Sequence, residues 1–282
     1  MSKMYTITSS QGWLTKAILY GLLVIMTVFY LLPLWGALTT SLKTDTEIDT
    51  TNPLTLPRDP TSKGYIDAYE YLRRSLLNSL IMTLCGTFGA VSLGAMCGYV
   101  LSKFRFKGDN LVFLLITAGI FLPYQAILIP LFQTIRTLGL YDSLLGLILT
   151  HAVYGIPIMT LMFRAFYGEL PTSLVQQAMT DGSGPWRTYW KVVLPSTKIA
   201  TVTAVIFQFT AIWNELLFGL VIGGPNSMPA TVALNSLTGT LSAQWNVQMA
   251  GAMWVAAPVL FLYIVLGRYL VRGYMAGSVT AV

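Results

Sequence analysis

Charge is what this sequence has least of. Of its 282 residues, 10% are Asp, Glu, Lys or Arg, while 55% are hydrophobic. Soluble domains carry about a quarter charged residues, so this chain is not built to cover a water-facing surface. One histidine, His151, and two cysteines, Cys85 and Cys97, leave too few ligands for a zinc site, and no carboxylate cluster replaces them. His151, alone near a helix end, reads as a packed, hydrogen-bonded side chain. The cysteines stand twelve residues apart in one expected helix. That is about 18 Å along its axis, too far for a disulfide. No local spacing assembles a catalytic triad or a carboxylate pair, which argues against a membrane-embedded enzyme. A G-x-x-x-x-G-K-[ST] phosphate loop is also missing, since the Lys43-Thr44 pair has no glycine before it. Any nucleotide chemistry must therefore come from another polypeptide.

Long apolar runs are what the sequence has in abundance. Six stand out, at about residues 17–38, 76–101, 110–132, 143–166, 199–222 and 249–270. Each can cross roughly 30 Å of hydrocarbon as a helix, which satisfies its own backbone in lipid. The expected fold class is all-α integral membrane, one transmembrane domain over residues 1–282 with its core spans in 76–270. The run at 17–38 follows Lys3 and Lys16 but is too long for a signal peptide and lacks a small-residue cleavage site, so it reads as a retained first span. Residues 41–74, charged and poor in large apolar side chains, read as a loop.

The net charge of +6 could point to nucleic acid or anionic lipid, but its distribution points to topology. With the N-terminus inside, eleven cations fall on the cytoplasmic side: Lys3, Lys16, Lys103, Arg105, Lys107, Arg164, Arg187, Lys191, Lys198, Arg268 and Arg272. Six fall outside, five of them in the 41–74 loop, and residues 223–248 contain none. The bias places both termini in the cytoplasm.

That orientation puts the polar segment "VQQAMTDGSGPWRTYWKVVLPSTK", residues 175–198, in the cytosol. Ser173 is a candidate N-cap for a helix from Leu174 to about Thr180. Asp181-Gly182 ends it, and Pro185 suits the first turn of a second helix. There Trp186, Tyr189, Trp190 and Val193 share one face, and Pro195 breaks the helix before the fifth span. On physics alone the segment is either an interfacial amphipathic helix pair or a docking element for a cytoplasmic partner.

The segment resembles the EAA loop of ABC-importer permease subunits. That pattern runs Glu-Ala-Ala, two variable residues, Asp-Gly-Ala, five variable, Phe, two variable, Ile, one variable, Leu-Pro. Here the positions read Gln176, Gln177 and Ala178, then Asp181, Gly182 and Ser183, then Tyr189, Val192, Leu194 and Pro195. "LPLWGALTTSLK", "SKFRFKG", "LPYQAILIPLF" with "LGLYDS", "IWNELLF" and "LVRGYMAGSV" extend the resemblance along nearly the whole chain, towards the carbohydrate-uptake, maltose-type branch. It implies a six-transmembrane-helix type I ABC importer permease fold with a cytoplasmic coupling helix, in a bacterial inner (plasma) membrane. The implied function is import of a sugar or related glycoside, with an ABC permease for a non-sugar small solute, or an ion-coupled secondary transporter, as the alternatives; one intramembrane carboxylate and no obvious internal repeat speak against the last. The implied partners are membrane lipid, a second homologous permease, an ABC ATPase dimer and an extracytoplasmic solute-binding protein, with no nucleic acid. ATP and Mg belong to the ATPase, and this chain holds no cofactor or metal and performs no catalysis. The ATPase-coupling residues would be Gln176, Gln177, Ala178, Met179, Asp181, Gly182, Leu194 and Pro195 in the loop 170–195. Gln176 stands where the family has Glu, so an ion pair there would become a neutral hydrogen bond.

Glu215, in Trp213-Asn214-Glu215, is the acidic residue inside the fifth span. Intramembrane carboxylates usually face a cavity or a partner group. Asn214 and Glu215 could line a polar sugar pathway with Trp213 offering a face to a ring, or they could serve a hydrogen-bonded helix pair or a cap to a broken helix. Tyr124, Gln125 and Gln208 are pathway candidates of the same kind, with packing as the alternative. The outer loop 223–248 is glycine-rich and ends in Gln244-Trp245-Asn246. By the resemblance those three are candidates for binding-protein contact, and the tail after Gly273 would reach the ATPase dimer.

Overall fold

A chain with this hydropathy has to make its backbone hydrogen bonds locally, and it does so with helices. The computed structural model describes residues 13–237 and 244–279, without the side chains of Leu14 and of 270–279, and contains no strand among them. The helices are α1 (Trp13–Ser41), α2 (Asp45–Thr50), α3 (Lys63–Lys103), α4 (Asp109–Ala118), α5 (Tyr124–Thr137), α6 (Leu144–Gly168) and α7 (Thr172–Thr180). There follow α8 (Pro185–Thr188), α9 (Leu194–Ser196), α10 (Lys198–Trp213), α11 (Leu217–Ile222), α12 (Ala230–Leu237) and α13 (Trp245–Val279). A 3₁₀ turn, Gly119–Phe121, extends α4, and a π segment, Tyr189–Val193, joins α8 to α9.

Among the described residues four helices, α1, α3, α6 and α13, are each long and apolar enough to cross a bilayer, and two bent pairs bring the total to as many as six. The expected third span is not one helix: it bends by 99° between Gly119–Phe121 and α5. Pro123 lacks an N–H and forces Leu122 into an extended conformation, φ −74° and ψ 113°. The second bent pair is Pro185–Ser196 with α10, at 83°. The expected fifth span breaks at a further point, because α10 stops at Trp213 and α11 begins only at Leu217. Two expected loops are partly helical. The 41–74 region holds α2 and the first turns of α3, and the 223–248 region holds α12, whose Ala230, Val232 and Ala233 are buried.

The chain divides into two compact units, residues 1–69 with 242–253 and residues 70–241 with 254–282. In the first, α1 exposes its apolar residues along most of its length, as a helix facing lipid or a second chain does. Lys43 is 1% exposed, and its Nζ donates to Thr51 Oγ1 (3.0 Å), the Asn52 carbonyl (2.7 Å) and Thr55 Oγ1 (3.0 Å). Three acceptors are what makes a buried ammonium tolerable.

The second unit is assembled around a small-residue stripe on α3. Gly86, Ala90, Gly94 and Gly98 recur every fourth residue and so share one face. A Cβ built on Gly94 would lie 2.3 Å from Met159 Cβ, and one on Gly98 would lie 2.7 Å from Phe163 Cβ. The stripe thus lets α3 and α6 approach nearly backbone to backbone, the way helices gain packing where lipid removes the hydrophobic drive. Met159, Phe163 and Tyr167 on α6 are fully buried against it.

Between α5 and α6, Asp142 takes a left-handed conformation (φ 52°) and ties down the turn before α12. Its carboxylate accepts the Asn226 N–H (3.0 Å), Asn226 Nδ2 (2.9 Å), the Ser227 N–H (3.1 Å) and Ser227 Oγ (3.0 Å). From α3, Asn78 Nδ2 donates to the Asn226 and Met228 carbonyls. Burial would raise the Asp142 carboxyl, but the hydrogen bonds from Ser227 and Asn226 outweigh it and hold it below its ordinary value. The folded value is thus below the unfolded one, so the stabilisation is complete above the unfolded value of about 4 and is lost as pH falls through the folded value. Asp142→Asn is expected to lower stability at pH 7 and to flatten the acid limb of thermal unfolding measured between pH 3 and 7.

Candidate functional site

The polar segment folds as a hairpin of short helices. α7 begins after Pro171 without a side-chain cap, so Ser173 does not cap it, because the helix starts one residue ahead of it at Thr172. Gly182 has φ +83°, and the Ser183 N–H bonds to the Ala178 carbonyl (3.0 Å) while the Gly182 N–H bonds to that of Met179 (3.0 Å). These are the two bonds of a Schellman end. Pro185 occupies the first turn of α8. The face expected to hold Trp186, Tyr189, Trp190 and Val193 together is split. Tyr189 and Val193 are buried, whereas Trp186 and Trp190 are 61% and 46% exposed. The π segment, Tyr189–Val193, widens the turn there, so the register of an α-helix does not apply.

One side of this hairpin is fastened to the ends of α3 and α6. Tyr189, Tyr99 and Tyr167 form a ring cluster with centroids 5.1 to 6.5 Å apart. Tyr99 Oη donates to the Pro185 carbonyl (3.0 Å), and Lys103 Nζ donates to the Leu170 carbonyl (2.7 Å). Val175, Met179, Val193 and Leu194 pack into the same cluster. The opposite side is free: Gln176, Gln177, Thr180, Asp181, Gly182 and Pro195 are exposed, and Ala178 is half-buried. The hairpin is therefore a rigid foot with an exposed sole.

A second site lies where two helices break. A cavity of about 580 Å³ is lined by Leu122, Pro123 and Tyr124 at the first break and by Glu215 and Phe218 at the second, with α6 and α10 supplying the walls. Irregular backbone at membrane depth is tolerated where it is buried or lines such a space. Each break is satisfied by a side chain: Tyr154 Oη donates to the Leu122 carbonyl (2.6 Å), and both Glu215 carboxylate oxygens accept the Phe218 N–H (2.9 and 3.0 Å). Glu215 thus caps α11, and Thr231 Oγ1 donates to its carbonyl (3.0 Å). Tyr124 stacks on Tyr154 with centroids 4.5 Å apart.

Of the pathway candidates, Tyr124, Gln125, Gln208 and Glu215 come together around this cavity, and Trp213 and Asn214 do not. Trp213 is 2% exposed, its indole N–H donates to the Val255 carbonyl (2.9 Å), and it stacks on Phe209. Asn214 Nδ2 is turned back to the Thr210 carbonyl (3.0 Å). His151 and Tyr154 also line the cavity. Their helical spacing with Gly155 and Ile158 marks one face of α6, a signal readable in the sequence. At the start of α13, Gln244 and Trp245 are exposed, but Asn246 is buried and its Nδ2 donates to the Lys43 carbonyl (3.2 Å). The tail after Gly273 continues α13 to Val279, and its side chains lie outside the described residues.

Long apolar helices, two broken spans around a cavity and a fastened hairpin with an exposed sole define a multi-span membrane permease subunit. The chain belongs to the family of binding-protein-dependent transport system inner membrane components, whose pattern it matches over residues 90–275. It is 48% identical to a probable ABC transporter permease protein of Pyrococcus horikoshii, over 94% of this chain and 97% of that one. It is 32% identical to the xylose/arabinose import permease protein XacI of Haloferax volcanii, over 90% of each. Its fold superposes with a TM-score of 0.79 and 21% identity on a chain of a bacterial ABC transporter involved in the import of the acidic polysaccharide alginate, covering 93% of this chain and 98% of that one. The ATPase of such importers is a separate subunit, and the absent phosphate loop agrees with that division.

Proposed function

We propose that this chain is one of two permease subunits of an ATP-driven, binding-protein-dependent importer for a sugar or related glycoside. The observation that carries the reading is the hairpin, 172–196, exposed on one side and fastened through Tyr99, Tyr167 and Tyr189 to two spans on the other. An ATPase dimer binding the exposed side can move α3 and α6 as a body, and the cavity between the broken spans then alternates in access. ATP and Mg bind to that dimer, and this chain is no enzyme. The binding protein delivers solute to the outer face, where Gln244 and Trp245 are exposed, and both termini lie in the cytoplasm, as the cation bias favours. The exposed α1 is available to lipid and to the second permease. Support for a sugar comes from the xylose/arabinose permease among the relatives.

The test is copurification and reconstitution: the native assembly should hydrolyse ATP faster when a sugar-loaded binding protein is added, and proteoliposomes should take up that sugar only with ATP. Gln176→Glu is expected to keep hydrolysis and uptake within about twofold of wild type, because the side chain stays polar and exposed, a class of change worth under about 0.5 kcal/mol. Loss of the ATPase from the purified complex would instead show a partner matched to glutamine.

A further inference from the structure

The two arms of the hairpin present different chemistry. α7 exposes Gln176, Gln177, Thr180 and the following Asp181, which are neutral or acidic. From Gly182 to Lys198 the chain has no carboxylate, and Arg187, Lys191 and Lys198 are all exposed. None of the three forms an ion pair or a side-chain hydrogen bond among the described residues. Asp109, the first carboxylate after the end of α3, is taken by Arg105 (3.4 Å). Next to the cations in sequence, Trp186 and Trp190 are 61% and 46% exposed, and their rings meet edge to face with centroids 5.8 Å apart. Aromatic rings and uncompensated cations thus share a surface that the fold leaves open.

The backbone places that surface at the edge of a bilayer. Pro185–Ser196 and α10 form a bent membrane-spanning pair with an angle of 83°. With α10 along the bilayer normal, the segment before it lies close to the bilayer plane. Lys198 opens α10, so the segment stands where the chain enters the hydrocarbon. One side of it is sealed, since Tyr189 and Val193 are buried against α3 and α6. A short element parallel to the membrane, with indoles and cations on its free sides, has the pattern of an interfacial helix. Indoles settle at headgroup depth, and cations without acidic partners are drawn to anionic headgroups. We infer that the arm from Pro185 to Lys198 docks on anionic phospholipid, with Trp186 and Trp190 at the boundary of the acyl chains and Arg187, Lys191 and Lys198 on the headgroups. The two roles that the sequence leaves open for the hairpin then belong to different arms: α7 receives the ATPase, and the second arm seats the lever on the membrane. The inference rests on the proposed import function, which supplies the ATPase and the cytoplasmic side, and adds a lipid on which coupling depends.

The experiment compares the complete importer in vesicles of phosphatidylcholine alone with the same importer in vesicles containing one-third phosphatidylglycerol. Phosphatidylglycerol should raise ATP-driven sugar uptake at least threefold, and inorganic phosphate added to the phosphatidylcholine vesicles should not replace it. In the combined variant Arg187→Gln, Lys191→Gln, Lys198→Gln the gain should fall to less than half that of the wild type, while the ATPase dimer still copurifies with the permease. Native mass spectrometry of the detergent-solubilised complex should show phosphatidylglycerol retained by the wild type and lost from the variant. The charge-conserving pair Arg187→Lys, Lys191→Arg should keep both the gain and the bound lipid. An equal gain in wild type and combined variant, no phosphatidylglycerol retained by the wild type, its replacement by inorganic phosphate, or loss of the gain in the charge-conserving pair would overturn the inference. Loss of the ATPase from the combined variant would also overturn it, because the surface would then belong to the ATPase. If the wild type takes up no sugar in either vesicle, the proposed function fails, while lipid retention and its loss in the combined variant still decide this inference.

Discussion

Gly94→Val is expected to lower the yield of assembled transporter severalfold and its apparent melting temperature by about 6–12 °C. The cause is geometric. The added Cβ would lie 2.3 Å from Met159 Cβ and 3.0 Å from the Met159 carbonyl carbon and the Thr160 nitrogen. A side chain's flexible end can yield, but a backbone cannot, so α3 and α6 must separate. Overpacking of this kind costs about 3 kcal/mol, which converts to the stated shift at about 2–4 °C per kcal/mol for a chain of this size. Separation also takes away dispersion contacts of Phe163 and Tyr167, and in lipid those are the main gain from helix association. Size-exclusion profiles and thermal unfolding of the detergent-solubilised complex check the result. Gly21→Val in α1 is the control, because a Cβ there meets nothing within 4 Å.

Gly182→Val is expected to leave ATP hydrolysis by the assembled complex within about twofold and to lower coupled uptake about tenfold or more. A Cβ at Gly182 touches nothing within 4 Å, so no clash is involved. The effect is wholly in the backbone, which sits at φ +83°. A residue with a Cβ pays roughly 1–2 kcal/mol for the left-handed region, and a β-branched one is an outlier there. The Schellman bonds from Gly182 and Ser183 back to α7 would loosen, and the exposed face of α7 would lose its fixed angle to α8. Force arriving from a bound ATPase would then be taken up by the turn instead of reaching Tyr189 and the spans. Gly182→Asn, which tolerates the left-handed conformation, should retain most of the coupling. Equal loss in both variants would point to a side-chain effect rather than to the turn. Uptake and hydrolysis measured on the same proteoliposomes separate the cases.

Much of this was legible in the sequence because the bilayer imposes so strong a rule. Apolar length alone located the four long helices α1, α3, α6 and α13, and Asp181-Gly182 followed by Pro185 marked the hairpin, since φ > 0 and a proline first turn each demand a particular residue. What hydropathy did not show were the breaks. Residues 110–132 are apolar throughout, and the 99° bend turns on Pro123, whose effect falls on the backbone of Leu122. At the second break the chain restarts as α11 with Glu215 accepting the Phe218 N–H. Of the readings open for this carboxylate its role as a cap is visible in the fold, but the place of the break is set by a side-chain bond no periodicity encodes. Trp213 illustrates the converse. Beside Asn214 and Glu215 it looked like a ring-stacking residue of the pathway, but the direction of its side chain is set by α13, forty-two residues on, where Val255 takes its N–H. The small-residue stripe from Gly86 to Gly98 was present at every fourth position, and the hydrophobic count passes over it because glycine contributes nothing to hydropathy.

The central claim is that ATP hydrolysed by a separate dimer drives sugar through these spans by way of the hairpin. It is tested most directly by reconstituting the purified assembly in sealed proteoliposomes and measuring sugar uptake with ATP enclosed and ion gradients collapsed. The account predicts uptake that requires both ATP and the binding protein, and that falls about tenfold or more with Gly182→Val while hydrolysis continues. Uptake driven by an ion gradient in the absence of ATP, or unaffected by that substitution, would contradict it.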